Sequence, residues 1–284
     1  LVVFGHIVWL RTPPRFFSIA HEIIYLFHMP AFFAMSGFLF GLKELHQPKN
    51  LLVRKKLVAL GIPYLFFSFT YFTMKIFLQN IISVQQTTSW TVFFRIFFFP
   101  ELSSSVYWFL FVLILYFIIF AIFKNQKTII YAISIVSVVI FFIWKSNSFH
   151  FFNDCFDCFL GYAFCFSLGM ISGMYYTTTN WSHLAFRSFF AIFAVFFLIF
   201  AFPFCGKLKS IFLSEERNIL LAFISFLLLI GGCCFLGVIT MLILRFRQKS
   251  LFVCIGNTSW VIYLLHPYFL NITRNILIHI PQFP

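Results

Sequence analysis

The amino-acid sequence predicts an all-α, polytopic transmembrane bundle of about nine or ten helices. The chain is 62% hydrophobic and only 10% charged, whereas a soluble domain is about 25% charged. Its mean hydropathy is +0.99. Its apolar runs are long enough to cross a bilayer, which takes about 20 residues at 1.5 Å each. In lipid, such a run satisfies its backbone polar groups by forming a helix.

Apolar runs of this length recur along the chain. The first, 1–10, is about ten residues too short for a full span, so we expect the chain to begin inside its first helix. The run 90–100 is short and contains Arg95, which suggests an interfacial or re-entrant segment, or half of a tenth span. With no linker and no internal repeat, the sequence predicts one membrane domain over residues 1–284. The longer spans are predicted near residues 16–42, 57–82, 105–123, 128–144, 153–175, 185–204, 218–244 and 251–279.

The net charge of +13 comes from Lys and Arg residues scattered between the apolar runs. Scattered cations are typical of loops that orient membrane helices, whereas nucleic-acid binding favours a basic stripe. We therefore expect the lipid bilayer as a partner, and no nucleic acid. Alternate loops carry eleven cations against eight, and the short connection 43–56 holds five of the eleven. The positive-inside rule places this connection in the cytoplasm and indicates a multi-pass protein of the cell membrane.

Seven cysteines lie mostly inside apolar segments and are interpreted as small core residues. Cys155 and Cys158 have the spacing of a redox or metal pair, but no second pair or His spacing completes a site. We therefore expect no metal. Asp154 and Asp157 share a face at the start of span 153–175, where a partly hydrated helix N-terminus would tolerate them.

Histidines inside predicted spans are functional candidates, because an intramembrane imidazole is costly unless it faces the bundle interior or a water-filled cavity. His6 lies about 8 Å below the non-cytoplasmic end of its helix. His28 shares a helix face with His21, and Pro30 leaves the Leu26 carbonyl without its helical partner. Packing and function are both open for these histidines from the residues alone.

A second polar group lies near the C-terminus. Ser259, Tyr263 and His266 follow at offsets of four and three, which is one helical face. Gly256 and Asn257 are expected to form a break or cap before that helix, and the proline after His266 frees the Tyr263 carbonyl. This face is either a polar seam that locks the helix into the bundle or a contact with substrate.

Three further features, a basic run, a pair of small residues and an aromatic pair, can each be interpreted as structural. The basic run 54–56 would anchor a helix or contact anionic lipid, or hold phosphate groups. Ser36 and Gly37 favour close helix contact. Trp108 with Tyr107 is typical of an interfacial aromatic belt, unless it lines a sugar site.

Five motifs occur in order along almost the whole chain. They are Gly5-His6; His28-Met29-Pro30 running into Ser36-Gly37; Arg54-Lys55-Lys56 followed by Ile62-Pro63-Tyr64; Trp108-Phe109-Leu110; and Gly256-Asn257-x-Ser259 followed by Tyr263-Leu264-Leu265-His266-Pro267. Together they resemble the acyltransferase 3 family of integral membrane O-acyltransferases, which move acetyl or similar groups from coenzyme A to sugars and other hydroxyls. The His before Met-Pro is similar to the fucose and surface-polysaccharide acetyltransferase branch.

The resemblance implies roles for particular residues. His6 would be the general base, acetyl-CoA the acyl donor, and a carbohydrate or other hydroxyl the acceptor. Arg54 would hold donor phosphates, with Lys55 and Lys56 where the family carries arginines. The residues expected to shape the site or contact substrate are His28, Ser36, Trp108, Asn257, Ser259, Tyr263 and His266.

Two other classes of protein stay open. A polysaccharide exporter or other transporter also places polar groups in broken helices at membrane depth, although the internal pseudo-symmetry that would favour it is not found. A structural or partner subunit of a membrane complex is the third class. The sequence does not determine the oligomeric state, the acceptor sugar or the acyl group.

Overall fold

The computed structural model describes residues 15–79, 107–147, 154–176, 191–195, 197, 199, 219–243 and 249–278. Every regular element in this part of the chain is helical. The predicted segments 1–10, with His6, and 90–100 lie outside the described residues.

The described helices follow the predicted spans closely. They are α1 (Arg15–Leu39) with a π-helical continuation π1 (Phe40–Glu44), α2 (Lys49–Lys56) with a π-helical continuation π2 (Leu57–Gly61), α3 (Ile62–Gln79), α4 (Trp108–Phe123), α5 (Lys127–Asn147), α6 (Asp154–Tyr176), α7 (Ile219–Ile243) and α8 (Lys249–Ile278).

Within the described ranges, five stretches are long and apolar enough to cross a membrane. Two shorter apolar helices, Trp108–Phe123 and Val261–Leu270, accompany them. The total of nine or ten helices stays a prediction. The five stretches are Ile23–Glu44, Lys49–Met74, Lys127–Ser146, Cys155–Tyr176 and Ala222–Ile239.

The basic connection is shorter than the sequence suggests. Only residues 45–48 are non-helical, and α2 begins at Lys49, directly after Pro48. Arg, Lys and Leu are good helix formers, so the cationic run 54–56 extends the following span instead of forming a loop.

The chain divides into two compact units. The central unit comprises Phe33–Trp144 and Phe149–Met174, and the terminal unit comprises Leu1–Phe32, Lys145–Ser148 and Tyr175–Pro284. Helix α1 therefore contributes its first part to the terminal unit and its second part to the central unit. One membrane domain over residues 1–284 stays a prediction.

Aromatic rings fill the core of the central unit. Phe33 is fully buried and meets Tyr116 edge-on, with ring centroids 5.1 Å apart. Tyr116 stacks on Phe159 at 5.2 Å, and its hydroxyl donates to the Phe159 carbonyl oxygen at 2.6 Å. The hydroxyl of a buried tyrosine usually finds such a partner, and this bond joins α4 to α6 beside the ring contact.

Four glycines bring α1 and π1 against α6. Gly37 and Gly41 lie on the first helix and Gly169 and Gly173 on the second, each pair spaced by four residues. A Cβ atom at any of them would lie 2.0–2.2 Å from a backbone carbonyl oxygen of the facing helix. Small residues at this spacing let helix backbones approach in a membrane, so the close contact predicted at Ser36-Gly37 is confirmed.

A buried serine cluster joins α5 to α6. Ser134 Oγ donates to Ser167 Oγ at 2.6 Å. Ser137 Oγ donates to the Leu160 carbonyl at 2.7 Å and accepts from the Phe164 N–H at 2.9 Å. The Ser137 hydroxyl therefore sits between a carbonyl and an N–H four residues apart in α6, which are ordinarily paired in a helix.

The terminal unit has its own apolar core. Phe27 meets Phe197 edge-on with ring centroids 5.2 Å apart, and Leu228 is fully buried beside them. A Cβ atom on Gly232 would lie 2.4 Å from Phe27 Cγ. The lack of a side chain at Gly232 thus makes room for the Phe27 ring between α1 and α7.

Candidate functional site

Helix α2 presents a cation that is not used in packing. Arg54 is exposed and makes no hydrogen bond or ion pair with any described residue. Its neighbour Lys55 is also exposed and donates to Gln47 Oε1 at 3.1 Å. A guanidinium can hold a phosphate through two parallel hydrogen bonds, so Arg54 is the cation of this run most available to an anionic ligand.

Lys56 differs from its two neighbours in being engaged within the bundle. Its Nζ lies 2.6 Å from Glu44 Oε1 and 4.1 Å from the centroid of the Phe117 ring. Both members of the ion pair are partly buried, and Glu44 Oε2 has no hydrogen-bond partner in the described part of the chain. Lys56 thus fastens α2 to π1 and α4, and its contact with the donor stays a prediction.

The surroundings of α2 are strongly basic. Lys43 of π1 and Lys49 of α2 are exposed, as are Arg54 and Lys55. Glu44 is the one acid between residues 40 and 56, and its charge is offset by Lys56. This end of the central unit therefore attracts phosphate groups through a net positive charge.

His28 is buried in α1, within the terminal unit, next to an aromatic ladder. The Tyr25 ring lies between the His21 and His28 rings, with centroid distances of 4.2 and 4.7 Å, so the predicted shared face is confirmed. His28 Nδ1 lies 2.8 Å from the Ile24 carbonyl oxygen. Only a ring with a proton on Nδ1 can donate to that carbonyl, which leaves the lone pair of the neutral ring on Nε2.

His266 is buried in α8, and its bonding follows from the proline beside it. Pro267 has no N–H, so it cannot pair with the Tyr263 carbonyl four residues earlier. His266 Nδ1 lies 2.6 Å from that oxygen and takes the vacant place. The freed Tyr263 carbonyl that the sequence predicts thus fixes the proton on Nδ1 and leaves Nε2 with the lone pair.

The break expected at Gly256 and Asn257 is wrong. Helix α8 runs without interruption from Lys249 to Ile278. An interior glycine costs a helix only about 1 kcal/mol, and the neighbouring hydroxyls bond to the same helix. Ser259 Oγ donates to the Gly256 carbonyl at 2.7 Å, so the exposed Ser259 hydroxyl bonds to the backbone of its own helix.

The aromatic belt expected at Trp108 is also wrong. Tyr107 and Trp108 are both buried. Tyr107 packs against Phe67 and Tyr71 of α3, with both centroid distances 6.1 Å. Tyr107 thus has ring partners on α3, and Trp108 is only 8% exposed, so both side chains belong to the core of the central unit.

The start of α6 is less exposed to solvent than the sequence suggests. Asp157 is fully buried, so the expectation of a hydrated helix N-terminus is wrong for this residue. Cys155 and Cys158 are buried free cysteines. No three His, Cys, Asp or Glu side chains of the described ranges come close enough together to hold a metal ion.

The structure places the candidate residues in separate groups. The central unit carries Ser36, Arg54, Lys55, Lys56 and Trp108, and the terminal unit carries His28, Asn257, Ser259, Tyr263 and His266. Their functional roles stay predictions, as does that of His6.

Sequence reasoning missed the partners of the basic helix and the serine cluster. A single acid inside a basic connection, Glu44, was a signal for an ion pair. Ser134 and Ser137, three apart in an apolar run, were a signal for an interhelical contact. Lys124 gave no sequence signal beyond its place at the end of a span.

Comparison with known proteins gives one match. The profile of a family described as an acyltransferase domain matches residues 1–284. No curated protein matches the chain at a significant level, and no solved structure does.

Proposed function

Since the chain belongs to the acyltransferase 3 family, we propose that this membrane acyltransferase moves an acetyl or similar group from acyl-coenzyme A to a carbohydrate hydroxyl. The family match supports acyl transfer, and the long apolar helices support an integral membrane enzyme. The expected location is the cell membrane, with the basic end of the central unit in the cytoplasm, where coenzyme A is present.

The exposed Arg54, which has no partner among the described residues, is the observation that carries the donor assignment. Coenzyme A is rich in phosphate, and Arg54 offers a guanidinium whose donors are unused by the described residues. Lys55 would add a second charge by exchanging its bond to Gln47. With the phosphates held there, the pantetheine arm threads into the bundle.

His6 is the proposed general base. Its neutral imidazole takes the proton of the acceptor hydroxyl while that oxygen attacks the thioester carbon. The carbon–sulfur bond then breaks, and the leaving thiolate takes the proton from the imidazolium to give free coenzyme A. His28 and His266, whose Nε2 atoms carry lone pairs, are proposed to orient the acceptor or donor.

Incubation of the purified protein with radiolabelled acetyl-CoA and a panel of sugars tests this function. We expect label on a sugar, and no label with His6→Gln at unchanged expression and folding. Transfer by His6→Gln at the wild-type rate removes His6 from the role. Movement of unmodified glycan across vesicles, without label transfer, identifies an exporter instead.

The donor assignment has its own test in Arg54→Ala. Loss of the guanidinium should raise the KM for acetyl-CoA about tenfold, which corresponds to about 1.4 kcal/mol, with kcat nearly unchanged. Lys49→Ala is the matched control, because it removes an exposed cation from the same helix. Equal effects of the two substitutions would mean that only net charge matters.

A further inference from the structure

Lys124 is a buried cation at the end of α4. Lys124 is only 8% exposed and occupies the C-cap position of α4. Its Nζ donates to the Leu45 carbonyl at 2.7 Å and also to the Gln47 carbonyl. A buried ammonium is costly unless it is hydrogen-bonded, so these contacts keep Lys124 in place.

The two carbonyls belong to the connection 45–48 between π1 and α2. Buried backbone carbonyls outside a helix need a hydrogen-bond partner, and Lys124 supplies one for each. The connection also contains a turn, in which the Gln47 N–H donates to the Glu44 carbonyl at 3.1 Å. Lys124 thereby ties the whole connection to α4.

The connection is in turn bonded to the cations of α2. The Gln47 side chain accepts from Lys55 at 3.1 Å, and Glu44 pairs with Lys56 at 2.6 Å. Arg54 precedes both lysines on α2 and makes no such contact with the described residues. The position of its backbone therefore depends on how firmly α2 is held, and Lys124 anchors one end of that arrangement.

We propose that Lys124 is a positioning residue for the acyl donor: it holds the connection 45–48 to α4 and so aligns Arg54 with the donor phosphates. This inference rests on the proposed function. With its ammonium bonded to two carbonyls, Lys124 acts on the donor through α2. Its loss leaves the charge of Arg54 intact and loosens the geometry that a two-bond phosphate contact needs.

The substitution Lys124→Met tests the proposal, because it removes the ammonium and keeps an apolar stem. We expect the KM for acetyl-CoA to rise about fivefold to tenfold, roughly 1–1.4 kcal/mol, with kcat within about twofold of wild type. Lys124→Arg should restore most of the affinity. The control Lys127→Met, which removes an exposed cation from the start of α5, should change KM by less than about twofold.

A double-mutant cycle distinguishes positioning from a general structural role. If Lys124 acts through Arg54, Lys124→Met should add little to the KM of an Arg54→Ala protein. Independent effects of the two substitutions, or an unchanged KM for Lys124→Met, would overturn the proposal. Should Lys124→Met not fold, Lys124→Gln, which keeps an N–H donor, takes its place in the same cycle.

Failure of the proposed function gives a different result. A wild-type protein that binds acetyl-CoA and transfers nothing refutes acyl transfer, and the same cycle is then measured with dissociation constants. A wild-type protein that does not bind acetyl-CoA refutes both the donor assignment and the positioning role.

Discussion

The glycine contact between α1 and α6 and the basic connection between α1 and α2 join neighbouring helices by opposite means. At the glycine contact the backbones approach directly, and any Cβ atom would meet a carbonyl oxygen at 2.0–2.2 Å. At the connection the helices are held by long charged side chains, Lys56 on Glu44 and Lys124 on two carbonyls.

The difference shows where a ligand can act. At the glycine contact backbone lies directly against backbone, so no room is left for a ligand between the two helices. The basic connection has more charge than its packing uses, because Arg54 stays exposed after Lys56 and Lys124 have found partners. We therefore expect substitutions in the first region to change stability, and substitutions in the second to divide between stability and donor affinity.

The largest effect is expected from Gly169→Val. Its Cβ would lie 2.0 Å from the Ala34 carbonyl oxygen, so α1 and α6 must separate, at a cost of about 3 kcal/mol or more. Size-exclusion chromatography and thermal unfolding in detergent measure the loss of folded protein. Gly61→Val is the matched control, since a Cβ there meets nothing within 4 Å. Equal stability of the two variants would contradict the close contact.

A smaller effect is expected from Lys56→Met. The substitution leaves the Glu44 carboxylate without its cation. Because the side chains are 21% and 23% exposed, the loss should be about 1–2 kcal/mol, below that for a fully buried pair. Thermal unfolding measures it, and Lys56→Met combined with Glu44→Gln should recover part of the loss. A raised KM for acetyl-CoA at unchanged stability would instead place Lys56 with Arg54 as a donor contact.

The smallest effect is expected from Ser137→Ala. It removes the bonds to the Leu160 carbonyl and the Phe164 N–H, but those two groups of α6 can then pair with each other. We expect a loss of about 0.5–1 kcal/mol, the range of interhelical hydrogen bonds in membranes. Thr128→Ala, at an exposed position of the same helix, is the control in thermal unfolding. A loss above about 2 kcal/mol would mean that the Leu160 carbonyl and the Phe164 N–H do not pair with each other in the variant.

The positions of the spans could be predicted from the sequence, because apolar runs in lipid have few options besides a helix. The predicted run 128–144 lies within Lys127–Asn147, and 153–175 matches Asp154–Tyr176 within a residue or two at each end. Gly256 did not end a helix, because the surrounding helix outweighs the cost of one glycine.

The candidate site could be predicted only as a set of residue types. The freed Tyr263 carbonyl could be predicted from Pro267, because the two residues are four apart in one helix. Glu44 signals an ion pair, but which nearby cation it takes depends on how π1 and α2 meet. The burial of Trp108 could not be predicted, since it depends on side chains from other helices.

The sequence by itself determined the membrane class, the family and the approximate helix boundaries, because hydropathy and ordered motifs are properties of the linear chain. Only the tertiary structure decided which polar groups hold the fold and which stay exposed. Lys124 meets Leu45 and Gln47 across 79 and 77 residues of sequence, and whether a charge is used in packing depends on such distant neighbours.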